Sequence, residues 1–447
     1  MISNSGYEKS VRWCGIVFSI LIPLLYLSCK SNQGLFSGAK TQHDKYAESI
    51  RKAGLDKTNL GGAWFLAADK SLRQPADVAL PYREAGFFAD HIPAASGLKF
   101  NVRQGEKIII SVVTIPDSAM IFTELWSAGL NKPNKLISAA DSNGKKLQFE
   151  ADADESLILR IQSELLQSVE YTVSVTTSPS LAFPVPLNNQ PRISSFWGAD
   201  RDGGIRKHEG VDIFAKKRTP LIAAADGKVT RVNENNLGGK VIFMRPHDKN
   251  FTLYYAHLDS QLVVPGQEVK TGDVIGLMGN TGNARTTPPH LHFGIYARGG
   301  AVDPFPFINH ERPSLPEVKA SKNIINQLVR VNKDAAIHSL PHTKSSVIRK
   351  SADKELMKII SATGDWYRVE WNDSSYGFIP ENKLTAAAFK NQSLQNTARL
   401  LSGPYAEAPA KTALQKGQQI ALIGRKNEYY LVQYGDEQGW INTFDID

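Results

Sequence analysis

Four histidines and one aspartate in this chain fall into three short clusters: His208-Glu-Gly-Val-Asp212, Tyr254-Tyr-Ala-His257-Leu and Pro288-Pro-His290-Leu-His292-Phe. Each cluster lies among glycines and short runs of β-branched and aromatic residues. A lone histidine is usually a structural or surface residue, whereas imidazoles gathered with a carboxylate are what a metal site requires. His290 and His292 are two positions apart, and a strand sends alternate side chains to one face, so both imidazoles point the same way. Asp212 follows His208 by four, but Gly210 and the run Val-Asp-Ile-Phe indicate a loop entering a strand, so folding has to bring this pair to the others. Imidazole and carboxylate donors suit Zn²⁺, and three protein ligands leave a fourth position for water, the catalytic rather than the structural arrangement. His208-Glu209 also begins like the helical His-Glu-x-x-His motif. Asp212 stands where that motif needs its second histidine, so that class is excluded and Glu209 reads as a solvated loop carboxylate.

With Gly276-Leu-Met-Gly-Asn-Thr-Gly between the second and third clusters, the segment 192–310 resembles the lysostaphin-type (LytM) zinc endopeptidases. The resemblance implies a compact antiparallel-β domain, a duplicated hybrid motif, with a groove over the metal. It implies His208, Asp212 and His292 as zinc ligands, His257 and His290 as the non-ligand catalytic histidines, and a structural role for Asp303 in Val302-Asp-Pro. Imidazole suits proton transfer because its pKa is near neutrality. The implied activity is hydrolysis of peptide bonds in bacterial peptidoglycan. Two rivals stand beside it: a catalytically silent protein of the same fold that binds the wall and activates another hydrolase, and a zinc peptidase directed at glycine-rich proteins.

The elements that must position these residues are mainly β. At roughly 150 residues per domain, 447 residues suggest about three units. Over residues 57–180, runs such as Lys107-Ile-Ile-Ile-Ser-Val-Val and Tyr171-Thr-Val-Ser-Val alternate with turns, which predicts an N-terminal antiparallel β-sandwich similar to pre-peptidase modules. Pro184, Pro186 and Pro191 mark a linker before the 192–310 domain. Two similar blocks follow, 322–388 and 393–447. In each, an aromatic strand leads to Gly-aromatic-Ile, as Tyr376-Gly-Phe-Ile-Pro and Gln438-Gly-Trp-Ile-Asn. They resemble small bacterial SH3-type barrels, with Trp366, Trp371, Tyr429 and Trp440 expected to fill two cores.

Lys9 and Arg12 precede an apolar run over residues 13–27, the length of a signal-peptide core, so residues 1–28 read as an export signal. Leu27-Ser28-Cys29 resembles a lipoprotein lipobox, which implies acylation of Cys29 and a polar tether over 29–56 with a short helix near 44–53. Cys14 and Cys29 are the only cysteines, which leaves no disulfide framework after cleavage. The expected place is the cell envelope, anchored by lipid to a bacterial membrane, with peptidoglycan and membrane as partners. With 42% hydrophobic and 21% charged residues, the composition fits neither a disordered nor a collagen-like chain. Lys and Arg exceed Asp and Glu by 52 to 44 but are scattered, without a basic run interleaved with aromatics, so nucleic acid is not an expected partner.

Overall fold

The computed structural model describes residues 40–446, apart from 130–131, 142, 373–374 and 386–389. The expected signal segment and Cys29 lie outside the described residues. The chain is mainly β, as its patterning predicts, and among the described residues two helices precede the strands. Helix α1 (Gln42–Lys52) opens on a capping box between Thr41 and Asp44 and buries His43, Ala47 and Ile50, a 4-then-3 spacing that lines up one face. Helix α2 (Asn59–Arg73) is capped by Thr58 and buries Trp64 and Ala68. The short helix expected near 44–53 is present as α1, and α2 falls within the segment 57–180 where only strands are patterned. Both helices pack on the sandwich, where the Trp64 Nε1 group donates to the Ser163 carbonyl at 2.9 Å.

The sandwich itself is present. One sheet runs Ala76–Asp77, Ala95–Val102, Glu155–Ser163, Ile121–Ser127, Lys135–Ala139. The facing sheet contains Tyr82–Phe88, Val169–Pro179, Glu106–Ile115 and Lys146–Glu150. Between them lie fully buried Leu98, Ile108, Ile121, Leu125 and Leu157. The facing sheet does not end at the sandwich. Tyr82–Phe88 pairs with Leu356–Thr363 of the first C-terminal block through Ala85↔Ala362 and Gly86↔Ser361, so that block continues the sheet. The second block forms a six-stranded sheet of its own.

The central domain is a ten-stranded sheet whose main path places Arg192–Ser195, Val211–Phe214, His290–Ala297, Phe251–Gln261 and Gly239–Pro246 side by side. Val211, Ile213, Leu253, Tyr255, Leu291, Phe293 and Ile295 are fully buried on its core side. The proline-marked stretch is less of a linker than expected, because Leu181, Phe183 and Val185 enter this core. Backbone bonds fix it there: Leu181 N–H to Phe307 O, Ala182 N–H to Ala224 O, and Ile222 N–H to Pro184 O, at 2.8 to 2.9 Å. Asp303 bridges domains. Its Oδ2 accepts from Arg103 Nη2 of the sandwich at 2.7 Å, while Oδ1 accepts from the Phe305 amide.

Candidate active site

Strand register assembles the site. In the pairing of Val211–Phe214 with His290–Ala297, Asp212 lies opposite His292 and Phe214 opposite His290. Strand alternation then turns Leu291 and Phe293 into the core and leaves His290 and His292 on the other face. Ala256 pairs with His292 from the far side, so His257 arrives next to it. His257 sits where the register of Phe251–Gln261 shifts against its neighbours, with φ of 64°. A non-glycine residue in this left-handed region costs on the order of 1–3 kcal/mol, and such strain collects at functional positions.

Three donor atoms converge. His208 Nε2 is 3.0 Å from Asp212 Oδ1 and 3.0 Å from His292 Nδ1, and Asp212 Oδ1 is 3.1 Å from His292 Nδ1. The opposite ring nitrogen of His208, Nδ1, lies 2.9 Å from the Phe196 carbonyl, which can only accept. Neutral His208 therefore carries its proton on Nδ1 and turns the Nε2 lone pair toward the other two groups. Zinc bonds of about 2.0–2.1 Å in a tetrahedron hold their donors about 3.3 Å apart, so the triangle has to open by only about 0.3 Å to take the ion. Among the described residues these three form the cluster whose chemistry suits a metal. Gly210 makes room for it: a Cβ there would lie 2.7 Å from His292 Cε1 and 2.6 Å from the Phe293 carbonyl oxygen.

Beside the triangle stand His257 and His290, their ring centroids 5.0 Å apart. Both are held by the same device. His257 Nδ1 is 2.9 Å from the Thr281 carbonyl and His290 Nδ1 is 2.9 Å from the Pro288 carbonyl, so each neutral ring keeps Nε2 as an acceptor. Phe214 stacks on His290 at 4.8 Å. Burial pushes the Asp212 carboxyl up, but the imidazoles of His208 and His292 beside it hold it far below the usual carboxylate range. Burial, with His290 and His292 nearby, lowers His257 to about 4. Burial also lowers His292, against the pull of Asp212.

The five side chains open onto a groove of about 660 Å³, with Arg201, Arg206 and Glu209 among the residues of its wall and Phe243, Tyr254 and Tyr296 as its aromatic members. Burial, then the Glu209 carboxylate, pushes the Tyr296 hydroxyl up to about 12, so it remains a donor. Every lining residue falls between 195 and 296, so among the described residues neither the sandwich nor the C-terminal blocks cover it. All five residues singled out from the sequence are thus brought together. Missed were Ser195 and Arg201, which contact His208 and Asp212, and the Thr281 and Pro288 carbonyls that orient the rings.

Fold and site together define a metallopeptidase-type domain. Residues 206–304 match the sequence model of Peptidase family M23, which supports the expected LytM-type domain, and all five site residues lie inside the match. Residues 310–385 and 396–447 match the GW (Gly-Tryp) dipeptide domain instead of the SH3-type family expected for them. The L-Ala--D-Glu endopeptidase of Bacillus subtilis (strain 168) is 37% identical over 139 residues, 28% of this chain and 42% of that protein. The uncharacterized lipoprotein YgeR of Escherichia coli (strain K12) is 33% identical over 177 residues, 37% of this chain and 65% of that protein. The murein hydrolase activator NlpD of Salmonella dublin is 32% identical over 133 residues, 30% of this chain and 33% of that protein. The matched part spans less than two thirds of each of these relatives. The Gly-Trp dipeptide occurs in the second block as Gly439-Trp440, where the first has Gly377-Phe378. Neither aromatic is free: Phe378 joins the sandwich core and Trp440 packs with Leu356 of the first block and Leu401 of the second.

Proposed function

We propose that this chain is a zinc-dependent endopeptidase that hydrolyses peptide bonds of bacterial peptidoglycan, with His208, Asp212 and His292 as ligands and His257 and His290 as catalytic residues. The observation that carries the reading is the triangle of donor atoms beneath a groove that two further histidines face with free Nε2 atoms. Bound there, zinc supplies Lewis acidity, which polarises a carbonyl and makes water acidic enough to attack at neutral pH. His257 is neutral at pH 7, so its Nε2 can take up a proton released by the attacking water. His290 can hydrogen-bond the developing oxyanion or return a proton to the leaving amine. Export and lipid attachment at Cys29 belong to the same proposal, supported by Leu27-Ser28-Cys29 and the likeness to lipoprotein YgeR. The GW-matching blocks serve as wall-binding modules, which raise the local concentration of a tethered enzyme on its polymer.

A second reading, activation of another wall hydrolase without cleavage, is favoured by the match to a murein hydrolase activator. Zinc-loaded protein incubated with purified peptidoglycan and defined muropeptides, followed by mass analysis, separates the two. The enzyme reading expects fragments cut at a peptide bond. Intact muropeptides, together with faster release when a second wall hydrolase is added, would establish the activator instead. An elastin-like substrate digested in parallel identifies a protein-directed peptidase.

A further inference from the structure

A short hairpin precedes the first ligand. Asp200–Arg201 pairs with Arg206–Lys207 through Asp200↔Lys207 and Arg201↔Arg206, and the turn between them uses Gly203 and Gly204 at φ of 68° and 96°. The hairpin is tied to the site through backbone: Gly198 N–H donates to His208 O at 2.9 Å, and His208 N–H to Ala199 O at 2.8 Å. It also delivers one guanidinium. Arg201 Nη2 donates to Asp212 Oδ2 at 2.8 Å and to Ser195 Oγ at 2.6 Å, while its Nη1 makes a long contact with the Asp200 carbonyl at 3.4 Å. Ser195 lies opposite Asp212 in the strand register, and its Oγ is 3.3 Å from His208 Nδ1. One nitrogen therefore reaches the side chains around two of the three ligands.

The two oxygens of Asp212 have different work. Oδ1 belongs to the donor triangle, whereas Oδ2 is occupied by Arg201. Resting on the zinc-site reading above, we propose that Arg201 is a positioning residue that engages Oδ2 so that Asp212 binds zinc through Oδ1 alone, and that holds Ser195 against His208. A carboxylate with one oxygen bonded to a guanidinium cannot readily swing to chelate with both, so the ion keeps three protein ligands and an open position for substrate. The structural alternative is that Arg201 merely pins the hairpin. That alternative leaves the metal's affinity and coordination number unaffected.

Full-length protein, Arg201→Ala, Arg201→Gln and Arg201→Lys are titrated with zinc against a chromogenic chelator, and each is loaded with cobalt(II) for its visible spectrum. Melting of the metal-free proteins reports on folding. The proposal expects Arg201→Ala to bind zinc 10- to 100-fold more weakly, the range known for residues that orient metal ligands. It also expects weaker cobalt d–d bands as Asp212 becomes bidentate and the coordination number rises, with Lys restoring part of both. If Arg201→Ala does not fold, Arg201→Gln, which keeps an amide donor but no charge, carries the test. Zinc affinity and cobalt spectra equal to wild type in a folded variant overturn this role for Arg201 while leaving the zinc site standing. Wild type that binds neither ion overturns the zinc-site reading, and this proposal with it.

Discussion

The groove and the seam between the sandwich and the first C-terminal block both bury ionisable groups, yet they treat them in opposite ways. At the seam, Glu84 is wholly buried and Arg368 is 2% exposed, and Arg368 Nη2 lies 2.9 Å from Glu84 Oε1. The groups around the pair are matched donor to acceptor: Tyr82 and Ser361 donate to Glu84 Oε2, and Arg368 donates to Ser96 and Ser361. In the groove, three potential metal-donor atoms are aimed at one another and two imidazoles keep a lone pair turned to open space. A buried polar cluster that satisfies itself holds domains together; one whose donor atoms converge suits a metal ion.

That contrast can be broken from either side. The largest effect is expected for His257→Ala, which removes a proton acceptor but no ligand: zinc content stays at one per chain while peptidoglycan turnover falls by about 10²–10⁴-fold. Loss of zinc in this variant would mean that His257 belongs to the metal triangle. At the seam, Glu84→Gln leaves Arg368 buried without its counter-charge. Unfolding in denaturant should show about 3–5 kcal/mol of lost stability, because breaking a buried pair from one side strands the partner. Unchanged zinc affinity in the same variant would confirm that seam and groove are separate. The smallest change, Gly210→Ala, adds one carbon against the Phe293 carbonyl and the His292 ring and should weaken zinc binding by about 10- to 100-fold in a chelator competition, with a measurable loss of stability because the backbone must shift. Wild-type affinity would show that the ring has room to move.

Much of the groove was legible because it rests on strand alternation. His290 and His292 share a face, and Leu291 and Phe293 enter the core, as period-two spacing requires. The sandwich was legible for the same reason. Helix α2 was not, because Gly61 and Gly62 lower helix propensity in its first turns. Packing explains Gly61, since a Cβ there would lie 2.0 Å from the Leu55 carbonyl oxygen. The prolines at 184, 186 and 191 similarly hid Leu181, Phe183 and Val185, whose burial depends on strands remote in sequence. Arg201 escaped notice for a third reason. Its role depends on Ser195 pairing with Asp212, a register that no local spacing states.

Diffraction from wild-type crystals grown with zinc, recorded on both sides of the zinc absorption edge, tests the central claim most directly. The account predicts one anomalous peak within about 2.0–2.2 Å of His208 Nε2, Asp212 Oδ1 and His292 Nδ1, with His257 and His290 beyond bonding distance. An ion bonded to His257 or His290, or no peak at the triangle in zinc-saturated crystals, would contradict it.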